Sequence, residues 1–115
     1  MVMEFKKNKP IYLQISDGLC ERIVAGEWKE GERIVSIREF AAELGVNPNT
    51  MQRAYDILQQ EGIIFNKRGL GYFVSEDAKH HILDIQRKEF MENDVPEFIQ
   101  KMELLGLTPK DIFNL

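Results

Sequence analysis

The first predicted element is an amphipathic helix. Apolar residues recur at every fourth position after Pro10, at positions 11, 15, 19 and 23, and this spacing is typical of one face of a helix. Proline suits the first helical turn, because the amide that it lacks would have no partner inside the helix. Gly26 is a plausible C-terminal stop. The linker after it carries Trp28, which we expect to pack over the core.

Two short helix patterns follow, separated by a tight turn. Ser36 with Glu39 predicts a capping box at the start of the first helix, and Gly45 predicts its end. Asn47 as a cap, with Pro48 in the first turn, predicts a second helix that continues to the next glycine. The positions predicted to face inward are Phe40, Ala41, Leu44, Met51, Ala54, Tyr55 and Leu58. Together the two patterns predict a helix-turn-helix, whose second helix presents a polar face from its N-terminus.

The segment "IIFNKRGLGYFV", residues 63–74, predicts a hairpin directly after the helix-turn-helix. Its loop carries Lys67 and Arg68 at the tip. Gly69 and Gly71 permit positive backbone dihedrals and a close approach of the main chain to another group. A hairpin in this position is a wing, and its tip is basic.

The last third of the chain predicts charged helices with loose apolar stripes. We expect one stripe to end near "NDVP" and a second to end at Gly106, with Thr108 capping a further helix through Asp111. The apolar residues exceed what a tail of this length can bury by itself, so we expect a homodimer whose interface is formed mainly by residues 76–113. The side chains assigned to this dimer are Ile82, Ile85, Phe90, Phe98, Met102 and Leu105. The predicted fold is α+β: a winged helix-turn-helix DNA-binding domain in residues 1–75, and a C-terminal helical dimerisation segment in residues 76–115.

Composition limits the function. The chain has 115 residues and a net charge of −4, which argues weakly against binding nucleic acid. The charge is uneven, however: residues 33–74 carry 5 basic and 4 acidic side chains, whereas residues 75–115 carry 5 and 9. The first ten residues lack the apolar segment of a signal peptide. Cys20 is the single cysteine of the chain, which excludes an internal disulfide and fits a cytoplasmic location. We expect its side chain to be a small buried hydrophobe.

The segments "SIREFAAELGV", "NPNT" and "RGLGYFV", in this order and spacing, resemble the GntR family of bacterial transcription regulators. With "KPIYLQISDGLCERIVAGEW" as the family's first helix, the resemblance covers residues 9 to 75. The short tail resembles the YtrA-type subfamily, in which helices dimerise the protein in place of an effector domain. Two positions depart from the family pattern. Val35 stands where proline is common, and Tyr72 stands where threonine is common, which leaves a hydroxyl contact at that position open.

The resemblance implies DNA contacts from the capping segment, the second helix of the motif and the wing. The residues that match are Arg38, Asn47, Asn49, Thr50, Gln52, Arg53, Lys67, Arg68, Gly69 and Gly71. Asn47 is expected to act mainly as a cap, and the amides at that helix N-terminus are expected to bind phosphate. The guanidinium of Arg53 offers a fork of donors for guanine or phosphate. The wing cations are expected to neutralise the DNA backbone or to reach the minor groove.

Several of these residues also have a purely structural alternative. Arg38 could pair with Glu39 or Asp17, and Arg53 could pair with Asp56. Gln52 is equally well explained as a solvated position, and the wing tip could be a solvated hairpin loop.

We expect a sequence-specific repressor that binds a pseudo-palindromic operator as a homodimer, without an enzymatic activity, a cofactor or a membrane partner. His80 and His81 are adjacent, so on a helix they point about 100° apart and make a poor metal pair. Two alternatives stay open at this point. One is a winged-helix adaptor that binds proteins, and the other is a sensor that holds a metal or small-molecule effector between its tail helices.

Overall fold

A computed structural model describes residues 8–114, which divide into two compact units, residues 8–82 and 83–114. Within the described range the elements in chain order are α1 (Ile11–Val24), α2 (Ile37–Leu44), α3 (Pro48–Gln60), β1 (Ile64–Lys67), β2 (Gly71–Val74), α4 (Ala78–Glu89), a π-helical turn (Phe90–Asp94), α5 (Val95–Leu104) and α6 (Pro109–Phe113). Helices α2 and α3 with the β1–β2 hairpin form the predicted winged helix-turn-helix.

Local sequence signals determine the ends of the motif helices. Ser36 Oγ accepts a hydrogen bond from the Glu39 N–H at 3.2 Å, which is the serine half of the predicted capping box. Gly45 ends α2 with a φ of 69°, a left-handed value that glycine adopts without a steric penalty. Asn47 then caps α3, and Pro48 occupies its first turn. The tight turn between the two helices is therefore specified by consecutive capping residues.

The core of the first unit lies between the three helices and the hairpin. The side chains that are almost fully buried include Ile15, Leu19, Phe40, Met51, Tyr55, Leu58, Ile63 and Ile64. Trp28 packs edge-on against Phe40 with ring centroids 6.1 Å apart, as expected of a loop anchor. Ile11 is 45% exposed, so the apolar stripe of α1 enters the core only from its second member.

Tyr55 ties the second motif helix to the chain before α2. Its hydroxyl donates a hydrogen bond to the carbonyl oxygen of Val35, and its ring meets Tyr72 of β2 edge-on at 5.0 Å. Burial raises the pKa of the Tyr55 hydroxyl well above its ordinary value, with a further increase from Tyr72. The protonated hydroxyl is thus the form that the fold requires.

We expect Tyr55→Phe to lower the free energy of unfolding by about 1–3 kcal/mol, because it leaves the Val35 carbonyl without its donor. Chemical denaturation measures the loss, with Tyr12→Phe as a control expected to change little, because Tyr12 of α1 is only half-buried and the ring that contacts Arg53 is kept. The raised pKa adds a pH signature, since the unfolded tyrosine ionises first. Wild-type stability should fall as the pH rises past about 10, and Tyr55→Phe should lack that contribution. Equal stability of the variant and the wild type would contradict the assignment.

The wing hairpin pairs with a third segment, residues 32–34, which the sequence pattern did not predict to be extended. β1 and β2 are antiparallel, with Ile64 opposite Val74. On the other edge of β2, the Ile34 N–H donates to the Tyr72 carbonyl at 2.9 Å, and the Val74 N–H donates to the backbone carbonyl of Glu32 at 3.0 Å. The sequence of residues 31–34 predicts a linker, because the segment is short, charged and begins with Gly31. None of these features favours a strand.

The start of α4 belongs to the first unit. Ala78 and Ile82 are buried there, at 0% and 1% exposure. Ile82 was assigned to the dimer surface, and its burial leaves no surface for a partner, so that assignment is withdrawn. Helical periodicity identifies an apolar face but not the neighbour that covers it.

The chain also stays helical through "NDVP", where the sequence predicted a break. The Val95 N–H donates to the carbonyl of Phe90, five residues earlier, which is the hydrogen bond of a π-helical turn. Pro96 follows and has no N–H to donate, so the wider turn absorbs the missing bond while the backbone remains helical. Further on, the predicted Thr108 cap is confirmed by a 2.8 Å hydrogen bond from its N–H to the Asp111 carboxylate.

Candidate nucleic-acid interface

Arg38 lies in the first turn of α2 with an exposed side chain. Within residues 8–114 its guanidinium has neither of the structural partners considered above. Asp17 pairs instead with the ammonium of Lys9. The charge of Arg38 therefore remains available to an anion from solution.

The N-terminus of α3 differs from the expectation of a phosphate-binding end. Asn47 Oδ1 accepts a hydrogen bond from the Asn49 N–H at 2.7 Å, and Pro48 has no N–H. The N–H groups of Thr50 and Met51 both donate to the Asn47 carbonyl, at 3.0 and 3.1 Å. None of the residues from Pro48 to Met51 therefore has a free N–H group. Phosphate binding by the backbone amides at this end of α3 is not supported. Contacts from this end depend on the side chains of Asn49 and Thr50.

Arg53, one turn after Asn49 on α3, stacks on an aromatic ring. Its guanidinium carbon lies 4.0 Å from the ring centroid of Tyr12 on α1. It does not form the alternative pair with Asp56, whose carboxylate accepts a hydrogen bond from Gln52. Stacking uses the face of the guanidinium, and its donors lie in the plane of the group, so they can still reach a base edge or a phosphate.

Gln52 is half-buried and has partners on two elements. Its amide nitrogen lies 2.9 Å from Asp56 Oδ1, one turn further along α3, and 3.4 Å from the hydroxyl of Tyr72 on β2. The simple solvated position considered above is therefore wrong for Gln52. The hydroxyl of Tyr72, which the sequence left without a role, contacts the motif helix.

The wing tip is a tight turn that projects two cations. The Leu70 N–H donates to the Lys67 carbonyl at 2.8 Å, and Gly69 between them has a φ of 81°. The ammonium of Lys67 lies 4.8 Å from the ring centroid of Phe73, whereas Arg68 is exposed and has no ion-pair partner among residues 8–114. Arg68 is thus the wing cation with the greater freedom to bind an outside anion.

The sequence predicted that Gly71 lets the main chain approach another molecule closely, and the structure gives this glycine a different role. Its φ is 112°, and a Cβ atom built on it would lie 3.1 Å from Nε of Arg33. The missing side chain therefore makes room for Arg33, not for another molecule. Arg33 is exposed and adds a cation beside the wing. Sequence reasoning missed this residue because it lies in a charged linker, where an arginine carries no particular signal.

Three further observations concern metal, thiol and membrane chemistry in the described part of the chain. Among residues 8–114 there is no group of three His, Cys, Asp or Glu side chains arranged to hold a metal ion. Cys20 is buried and is not in a disulfide. None of the described helices is long and apolar enough to cross a membrane.

Relatives of known classification match this chain over most of its length. It is 38% identical to the HTH-type transcriptional regulator YhcF of Bacillus subtilis over 111 residues, which are 96% of this chain and 90% of YhcF. It is 39% identical to the transcriptional repressor YtrA of the same organism, over 69% of this chain and 61% of YtrA.

Solved structures agree with these relatives. A GntR family transcriptional regulator from Listeria monocytogenes superimposes with a TM-score of 0.79 at 37% identity, covering 96% of this chain and 95% of the other. The DNA-binding domain of AraR, solved in complex with its operator ORR3, matches with a TM-score of 0.57 at 25% identity, over 65% of this chain and 88% of that domain.

The family described as bacterial regulatory proteins, gntR family, matches residues 11–74, which contain the whole winged helix-turn-helix. This match includes all the candidate DNA-contacting residues named above. The resemblance seen in the sequence is confirmed, including the likeness to YtrA. The chain belongs to the gntR family of bacterial regulatory proteins, and it is a DNA-binding transcriptional regulator, not an enzyme.

Proposed function

We propose that this protein is a repressor that binds a pseudo-palindromic operator, sequence-specifically and as a homodimer, in the cytoplasm. The observation that carries the proposal is the set of exposed cations on the winged helix-turn-helix of an acidic chain. Arg38 and Arg68 have no acidic partner among residues 8–114, and Arg53 is held by an aromatic ring that leaves its donors available. Unpaired cations on one unit are what a phosphate backbone attracts.

The repressor assignment rests on the relative YtrA of Bacillus subtilis, which is a transcriptional repressor. Binding to operator DNA is supported by the AraR domain, whose fold this chain shares over 65% of its length.

The homodimer is supported by the apolar surface of the second unit. Large exposed apolar side chains in residues 83–114 are Phe90, Met91, Phe98, Ile99, Leu104, Leu105, Leu107, Ile112 and Phe113. Soluble monomers rarely expose so many large apolar side chains on so short a segment, and such surfaces mark sites of protein association. This set includes Phe90, Phe98 and Leu105, which were assigned to the dimer from sequence. Ile85 and Met102 are half-buried and remain in the proposed interface.

The function is tested by selecting duplexes from a random pool with the full chain. We expect enrichment of a site with two-fold symmetry, because the symmetry of a dimer is mirrored in its operator. A protein-binding adaptor would enrich no duplex, and that result would overturn the proposal. A thermal-shift screen of metals and small metabolites on the same protein tests the remaining alternative, a sensor with an effector site in its tail.

Arg68→Ala is expected to weaken binding to every duplex and to lower the salt dependence of binding by about 0.9 per protomer, as for one lost phosphate contact. Affinities measured at several salt concentrations give this slope. Arg87→Ala is the matched control, because it removes an exposed arginine of α4, where Asp84 lies 3.7 Å away. A slope that Arg68→Ala leaves unchanged would mean that Arg68 does not contact the backbone.

A further inference from the structure

Gln52 has a defined orientation, which its two partners determine. The atom of its amide that lies 2.9 Å from Asp56 Oδ1 must be the nitrogen, because an ionised carboxylate can only accept a hydrogen bond. The same nitrogen lies 3.4 Å from the Tyr72 hydroxyl. Both of its N–H groups are therefore directed toward other parts of the protein, and the carbonyl oxygen is the part of the amide left without a partner among these contacts.

Tyr72 can serve as a fixed reference for this orientation. Its backbone pairs with Asn66 across the hairpin and also accepts the hydrogen bond from Ile34 on the opposite edge of β2. Its ring packs edge-on against the buried Tyr55 of α3. These three contacts fix the backbone and the ring of Tyr72, and so they hold its hydroxyl near Gln52. The position of the Gln52 side chain on α3 is thus linked to strand β2 of the wing.

This orientation changes what Gln52 can recognise. A free glutamine recognises adenine with two hydrogen bonds, one donated to N7 and one accepted from the N6 amino group. With its N–H groups engaged by the protein, Gln52 can only accept. In the major groove the amino groups of adenine and cytosine are donors, whereas O6 of guanine and O4 of thymine are acceptors, which would face the carbonyl oxygen unfavourably.

We propose that Tyr72 and Asp56 are positioning residues for Gln52, and that Gln52 selects an amino base over a keto base at one position in each half-site. The amino bases are adenine and cytosine, and the keto bases are guanine and thymine. The inference rests on the proposed operator binding. It assigns the hydroxyl at position 72 to base specificity, not to a direct contact with DNA.

The test is a selection from a random duplex pool with the full-length wild type and four variants. Gln52→Met removes the acceptor at nearly constant length. Tyr72→Phe removes the hydroxyl and keeps the ring on Tyr55. Asp56→Asn provides a side chain that can donate as well as accept, so the amide of Gln52 is free to turn over. Gln60→Met, at an exposed position of the same helix, is the matched control.

We expect the wild type and Gln60→Met to prefer an amino base at one position by roughly five- to tenfold. Gln52→Met, Tyr72→Phe and Asp56→Asn should each reduce that preference to below about twofold at the same position and leave the other positions unchanged. Asp56→Asn also removes a negative charge, so it is expected to strengthen binding to all duplexes, and the preference ratio is the quantity compared. Thermal unfolding of each variant confirms that it is folded.

Three results would overturn the inference, and they are distinguishable. If the wild type enriches no duplex, the proposed function fails and this inference fails with it. If the wild type enriches an operator but Gln52→Met changes no position toward keto bases, Gln52 does not select the base. If Gln52→Met removes the preference while folded Tyr72→Phe and Asp56→Asn both keep it, the two residues do not position Gln52.

Discussion

Replacing Phe90 and Leu105 together by aspartate is expected to convert the protein to a monomer and to weaken operator binding by roughly 10²- to 10⁴-fold. Both side chains are exposed in the second unit, at 53% and 73%. Aspartate there would place a charge in an apolar contact, where burial without a partner is costly. Because two monomers then bind the two half-sites independently, the gain in operator affinity from linking two DNA-binding domains disappears. Sedimentation and operator titration of the full chain measure the two effects.

The same double variant should keep its fold, because neither side chain is buried. Glu103→Ala together with Glu92→Ala is the control, since it changes two exposed residues of the same unit without adding charge to the apolar surface. Substitution is preferable to truncation after residue 75. That truncation would remove Ala78 and Ile82 from the core of the first unit, and a loss of dimer could then follow from unfolding. A variant that is still dimeric would show that the interface lies elsewhere.

Arg53→Ala is expected to cost about 1–3 kcal/mol in binding to the selected operator and much less on a scrambled duplex. The physical reason is that a guanidinium reads a base edge through a planar fork of donors, and stacking on Tyr12 holds that plane in place. Arg53→Lys should lose nearly as much, because an ammonium retains the charge but not the fork. Titration of both duplexes with each variant gives the comparison.

The partner of Arg53 can be tested in the same assay. Tyr12→Leu removes the ring under the guanidinium, and we expect a smaller loss, confined to the selected operator. Equal losses on both duplexes with Arg53→Ala would identify a phosphate contact and remove Arg53 from the residues that specify the sequence. Negligible losses on both would mean that its stacking on α1 is only structural.

The family and the architecture were predictable from sequence, because they depend on signals that act over a few residues. A capping serine or asparagine satisfies amides within its own turn, and a glycine at positive φ ends a helix wherever it occurs. Ser36, Gly45, Asn47 and Pro48 lie in this order within 13 residues, so the helix-turn-helix was determined locally. The wing followed from apolar strands on either side of a loop with two glycines.

The tertiary structure alone decided which side chains meet. Arg53 stacks on a tyrosine 41 positions earlier in the chain, and Gln52 contacts Tyr72 20 positions later. The space beside Gly71 is filled by Arg33, and Ile82 is buried in the first unit. Periodicity along a helix shows which face is apolar or polar, but it contains no information about the element packed against that face. Hydrogen-bond partners and stacking are therefore set by packing between distant segments, and the chemistry available to each candidate contact residue depends on them.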